Sequence, residues 1–194
     1  MKELQDSFFE KAVSFAVNLP HWCEAKDLPE TEAAVRFAED GLYIRMCCKE
    51  KDPKRVYQNK NDPVYEDSCM ECFLSADRSV GYLNLECNAN GAMLAAFGKD
   101  RSHRTFLADD LRPECLVTRT GQNWTVTLYL PDTLFEALYP DGRKEPLCGN
   151  FYKCGDKTEH PHFGAAAPID SAVPDFHLPQ FFIPIIDPER METI

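Results

Sequence analysis

Between residues 33 and 130 apolar and polar side chains alternate with a period of two, and short turn-forming segments separate the alternating runs. A period of two puts every second side chain on one face of an extended strand, so the pattern selects strands over helices. Ala33 to Ala38 and Leu42 to Lys49 flank Glu39-Asp40-Gly41, a hairpin turn in which Gly41 supplies the positive φ. Met70, Cys72 and Leu74 alternate with Cys69, Glu71 and Phe73. Tyr82 to Asn88 and Ala92 to Phe97 enclose Asn90-Gly91, the strongest short hairpin signal in the chain. Cys115 to Thr120 and Trp124 to Leu130 enclose Gly121-Gln122-Asn123, with Trp124, Val126, Leu128 and Leu130 on one core-facing row. Helix signals are few. Pro131-Asp132 followed by TLFEAL predicts one short helix with Asp132 near its cap, and Phe8 to Val17 is ambiguous. The expectation is an all-β fold, a two-sheet antiparallel β-sandwich of jelly-roll-like form with at most one or two short helices.

The last forty residues break the pattern. Pro161, Pro168, Pro174, Pro179, Pro184 and Pro188 preclude a central strand, while Phe163, Phe176, Phe181 and Phe182 are too apolar for a free linker. They predict an irregular arm, rich in proline and aromatics, that wraps the sandwich and ends in an edge strand near 182–186. A chain of 194 residues buries roughly 70% of its unfolded surface, so one domain over residues 1–194 needs no staple. The formal charge of −11 disfavours nucleic acid and acidic membrane surfaces as partners. No apolar run approaches the roughly 18 residues of a membrane span. The start, MKELQDSFFEKAVSF, does not read as a signal peptide, which points to the cytoplasm, or to secretion if a leader has been trimmed. The nine cysteines fall largely in strands and read as small core hydrophobes. Cys69 and Cys72 have CxxC spacing, but a strand points them to opposite faces, and no second CxxC completes a zinc set.

Four ordered stretches carry a resemblance: PVYEDSCMECFLS (Pro63 to Ser75), GYLNLECNANGAMLAAFG (Gly81 to Gly98), NFYKCGDKTEHPHFGAAAPI (Asn150 to Ile169) and PDFHLPQFF (Pro174 to Phe182). Together they resemble the carbohydrate-binding family 9-like proteins, within the wider DOMON-like sandwiches that bind sugar or haem, from about Phe37 onward. The resemblance implies a two-sheet sandwich and non-catalytic recognition of a mono- or oligosaccharide. In relatives a tryptophan pair clamps a terminal sugar. Where members often carry one of the pair, this chain reads Gly164-Ala165-Ala166-Ala167-Pro168. The resemblance also implies calcium in some members. Asp109-Asp110 alone lack the ligand count for that ion and read as surface charge. No cofactor is otherwise expected.

The residues themselves point to the same chemistry. Tyr82, Asn84, Glu86 and Asn88 share the polar row of one strand. An aromatic ring packs on a pyranose C–H face, and amides and a carboxylate read adjacent hydroxyls. Arg101 completes the expected ligand site, with Glu71, Tyr152 and Lys153 at its edge and Trp22 as the ligand-facing indole. The plainer alternative pairs a buried Glu71 or Glu86 with Arg101 or Arg104. Cys154 as a thiolate nucleophile, or His160, His162 and His177 as metal ligands, are the least favoured readings, and no catalytic or metal residue is assigned. A protein-interaction module that self-associates through the arm is the rival function. The sequence leaves the sugar and the oligomeric state open.

Overall fold

The computed structural model describes residues 4–144 and 146–191. Its strands are β1 (Val13–Ala16), β2 (Leu19–Pro20), β3 (Thr31–Ala38), β4 (Gly41–Lys49), β5 (Cys69–Asp77), β6 (Gly81–Asn88), β7 (Met93–Gly98), β8 (Arg104–Phe106), β9 (Glu114–Thr120), β10 (Asn123–Pro131), β11 (Leu147–Cys154), β12 (Phe163–Ala165) and β13 (Ile183–Ile185). Two short helices, α1 (Asp132–Leu138) and α2 (Pro188–Met191), complete it with several 3₁₀ turns. The smaller sheet runs β1-β3-β4-β10-β9 and the larger β2-β12-β11-β5-β6-β7-β8, with β13 pairing β11. All pairings are antiparallel. The expected sandwich is present.

The period of two builds the inter-sheet core. Leu42, Ile44, Met46 and Cys48 of β4 meet Trp124, Val126, Leu128 and Leu130 of β10, and Met70, Cys72, Leu74, Leu83, Leu85 and Cys87 close on them from the larger sheet. Gly41, at φ 151°, turns the β3–β4 hairpin where an added Cβ would lie 2.3 Å from the Leu130 carbonyl oxygen. Only glycine fits there.

The larger sheet departs from a simple sandwich. Every residue of β6 and the first seven of β5 are buried, so both faces of these strands are covered. A second apolar cluster lies on the outer face. Phe73, Tyr82, Tyr152, Leu94 and Ala96 project from the sheet, and Ile169, Phe176 and Phe182 of the arm pack on them. The proline-broken arm is therefore a lid on the sheet, and it ends in β13, close to the expected edge strand. As expected, the short helix starts at Asp132, next to its cap Pro131, and the Asp132 carboxylate pairs with Arg143 at 2.9 Å. Tyr152 and Lys153 lie near the end of β11, a strand inside the larger sheet.

Phe151 has no exposed surface and sits between the sheets against Phe15, ring centroids 5.1 Å apart, whereas Phe106 is 57% exposed. Phe151→Ala is expected to cost about 3–5 kcal/mol in urea unfolding, and Phe106→Ala less than about 0.5 kcal/mol.

Candidate functional site

Covering the outer face forces its polar side chains to find partners, because an unpaired buried polar group costs roughly 1–3 kcal/mol. Most of the row on β6 does so internally. Tyr82 hydroxyl meets His177 Nδ1 at 2.8 Å. Arg104 donates to Asn84 Oδ1 and, at 3.1 Å, to His177 Nε2. With Nε2 accepting, Nδ1 carries the proton and donates to Tyr82. Asn84 Nδ2 donates to Glu86 Oε1 at 2.9 Å, and Arg104 lies 3.5 Å from the same oxygen. Asn88 faces the adjoining loop. Its Oδ1 accepts from the Asn90 and Ala92 amides, shaping the Asn-Gly hairpin, and its Nδ2 donates to the Tyr57 carbonyl and Asp67.

One atom of that row is left over. Glu86 Oε2 is buried and has no hydrogen-bond partner among the described residues. Glu86 lines a cleft of about 150 Å³, where the arm fails to seal the sheet. Space of that size holds on the order of ten waters. Buried Glu71 and Glu86 form its acidic floor with the exposed Asp156 beside them, and Trp22, Tyr65, Phe163 and Phe176 supply its rings. Arg101, Arg104, Pro174, Asp175 and His177 complete the lining.

Each wall has a local cause. The Tyr152 and Phe176 rings stack 4.2 Å apart and 12° from parallel, and the Tyr152 hydroxyl donates to the Phe176 carbonyl at 3.3 Å. Edge pairing of β2 with β12 brings the following loop over the cleft, where His21 N donates to the Phe163 carbonyl. Trp22 then adopts φ 53°, an uncommon left-handed conformation for a bulky residue. Its indole Nε1 donates to the Ser171 carbonyl at 2.8 Å, and its ring centroid lies 5.8 Å from that of Phe176. Strain of this kind concentrates at ligand sites. Arg101 pairs with Asp175 at 2.9 Å, and Asp175 also accepts from the His177 amide.

Cross-strand register sets Glu71 beside Glu86. Burial and the neighbouring Glu86 raise Glu71 well above the usual carboxylate range. Burial also raises Glu86, while Asn84 and Arg104 restrain the rise. Both carboxyl groups are thus pushed toward the protonated form, with Asn84 and Arg104 favouring the charged form of Glu86. Burial lifts Asp156 to about 6.

Of the residues expected from sequence, Trp22, Glu71, Glu86 and Arg101 line the cleft. Tyr82, Asn84 and Tyr152 support it from beneath with their polar atoms engaged. Asn88 and Lys153 lie outside it. Lys153 points the other way, fully buried, with its ammonium donating to Ser68 Oγ, the Cys154 carbonyl and His162 Nε2. Glu50 is 3.7 Å from it and also bonds Ser68 and the Trp124 indole. His162 and His177 are therefore hydrogen-bonding residues here. Arg104, Phe176 and Asp156 joined the site through folding. Phe176 and His177 lie in a stretch that carried the family resemblance, which was the available signal. Asp109, expected as surface charge, pairs with Lys60.

Comparison with known proteins fits this geometry. The sequence profile of carbohydrate-binding family 9 matches residues 4–186. A candidate carbohydrate-binding protein from Bacteroides uniformis is 26% identical, with a TM-score of 0.78 over 88% of this chain and 84% of that one. A family 9 module from Caldicellulosiruptor kristjanssonii, solved with glucose, shares the fold at a TM-score of 0.62 and 11% identity, covering 94% of this chain and 86% of that one. The same kind of module with cellotriose gives 0.58 and 12%, covering 93% and 84%. No curated protein matches the chain. Among the described residues no helix is long and apolar enough to cross a membrane.

His177 is held neutral, lowered from 6.5 to about 3 by burial and then by Arg104. The unfolded chain binds the extra proton first, so this contribution to stability is complete above pH 6.5 and is lost as pH falls toward 3. His177→Gln is expected to remove up to about 2 kcal/mol of the stability difference between pH 7 and pH 5, read by urea unfolding at both. An unchanged difference contradicts the assignment.

Proposed function

The chain belongs to carbohydrate-binding family 9, and on that footing we propose that the Glu86 cleft holds the end of a saccharide and does not cleave it. The observation that carries this reading is that Glu86, whose buried Oε2 has no partner among the described residues, lines an open, ring-lined cleft. A sugar hydroxyl is a donor of the right kind for it, and a bond to a charged acceptor contributes about 1.5–3 kcal/mol. Trp22 and Tyr65 offer ring faces to the C–H face of a pyranose. The exposed Arg101 is placed to donate to ring or side-group oxygens. The alanines at 165–167 leave the indole role to Trp22, with Tyr65 and Phe163 as the other rings at the cleft. The size of the cleft, about 150 Å³, supports a single terminal sugar ring.

Affinity is expected to be modest, because solvated hydroxyls must be stripped of water to make few direct bonds. Calorimetry with glucose and cellotriose, the sugars held by the Caldicellulosiruptor modules, tests the reading. Glu86→Gln is expected to weaken binding by about 10–100-fold, and Trp22→Ala by about tenfold. Cellotriose is expected to be recovered intact. Absence of heat with either sugar, or binding indifferent to both substitutions, contradicts the proposal.

A further inference from the structure

Beneath the cleft, β5 and β11 run side by side with Cys154 opposite Cys69 and Tyr152 opposite Glu71. The period of two puts Cys69 and Glu71 on the same outer face of β5, while Cys72 points between the sheets. The partner of Cys69 is therefore across the ladder, and the CxxC spacing with Cys72 is incidental. One donor atom each from Cys69, Glu71 and Cys154 lies within 4.8 Å of the other two. Cys154 Sγ is 2.9 Å from Glu71 Oε1. All three residues are buried.

We propose that Cys69, Glu71 and Cys154 bind one thiophilic divalent cation of the zinc class beneath the cleft floor. In a tetrahedral zinc site with Zn–S near 2.3 Å, two sulfurs stand about 3.8 Å apart, so small side-chain rotations close this set around an ion. Two sulfurs and one carboxylate match zinc-class softness, and they exclude calcium or magnesium, which take six or more oxygens. Glu71 lines the cleft, which gives the ion an entry route. Three protein ligands leave the fourth position to water or another group entering from the cleft. A bound cation offsets the repulsion between the neighbouring carboxylates of Glu71 and Glu86. The proposal does not depend on saccharide binding.

The test uses the full chain, reduced, stripped with chelator and titrated with Co²⁺. One equivalent is expected to bind with thiolate-to-cobalt charge-transfer absorption, and one equivalent of Zn²⁺ to displace it. Cys69→Ser and Cys154→Ser each abolish that absorption, and Cys72→Ser keeps it. Glu71→Gln, near-isosteric and uncharged, weakens Co²⁺ binding at least tenfold and settles the matter if the serine variants do not fold. No thiolate absorption in the wild-type chain, full absorption in folded Cys69→Ser and Cys154→Ser proteins, or an unweakened Glu71→Gln overturns the proposal.

Discussion

The stack of Phe176 on Tyr152 is the contact on which the rest of the molecule's chemistry depends. It fixes the arm to the outer face of the larger sheet, and Phe182, packed edge-on against Tyr82 at 5.5 Å, fixes it a second time. An antiparallel sheet ordinarily leaves one face to water. Here water is removed from both faces of β5 and β6, so Glu71, Asn84, Glu86 and Asn88 sit in a low-dielectric layer. Their hydrogen bonds become strong there, and any missing partner becomes costly. The arm stops short over Glu86 and Glu71, and that gap is the cleft.

The electrostatics follow from this placement. Four carboxylates, Glu71, Glu86, Asp156 and Asp175, share the cleft with two guanidinium groups. Arg101 is occupied by Asp175, and Arg104 by Asn84, Glu86 and His177. Burial raises the Glu71 and Glu86 carboxyls, and the guanidinium of Arg104 opposes that rise in both. On the inner face of the same sheet, one residue along β11 from Tyr152, the fully buried Lys153 is balanced by Glu50 and three hydrogen bonds. Burial lowers His162 to about 4, so it accepts from that ammonium as a neutral ring. The inner face of the sheet is thus closed here by a satisfied polar network, and the outer face stays open with an unsatisfied one.

The strand pattern was readable because period two is a local property. The inward rows of β4, β5, β6 and β10, the turns at Gly41 and Asn90-Gly91, and the short helix after Pro131 all follow from neighbouring residues. The covering arm was readable from its composition, since prolines with that many aromatics fit neither a strand nor a linker. Which polar residues the arm would leave open was not readable. That depends on contacts such as Arg104 with His177, 73 positions apart in sequence, and Trp22 with Ser171, 149 apart. Asn84 and Glu86 look equivalent in the alternation, yet one is spent on Arg104 while the other keeps a free oxygen. Lys153 misled because a lysine in a strand normally faces water, and only the Glu50, Ser68 and His162 network permits it to face the core.

The two tryptophans offer the most direct test of the central claim that the gap left by the arm is a saccharide site. Trp22 lines the cleft, and Trp124 is buried between the sheets with its indole bonded to Glu50. In a titration of the ¹⁵N-labelled chain with cellotriose, the Trp22 indole resonance is expected to shift and saturate while the Trp124 resonance stays fixed. Two unmoved indoles, or shifts gathered on the exposed face of the β1-β3-β4-β10-β9 sheet, contradict the account.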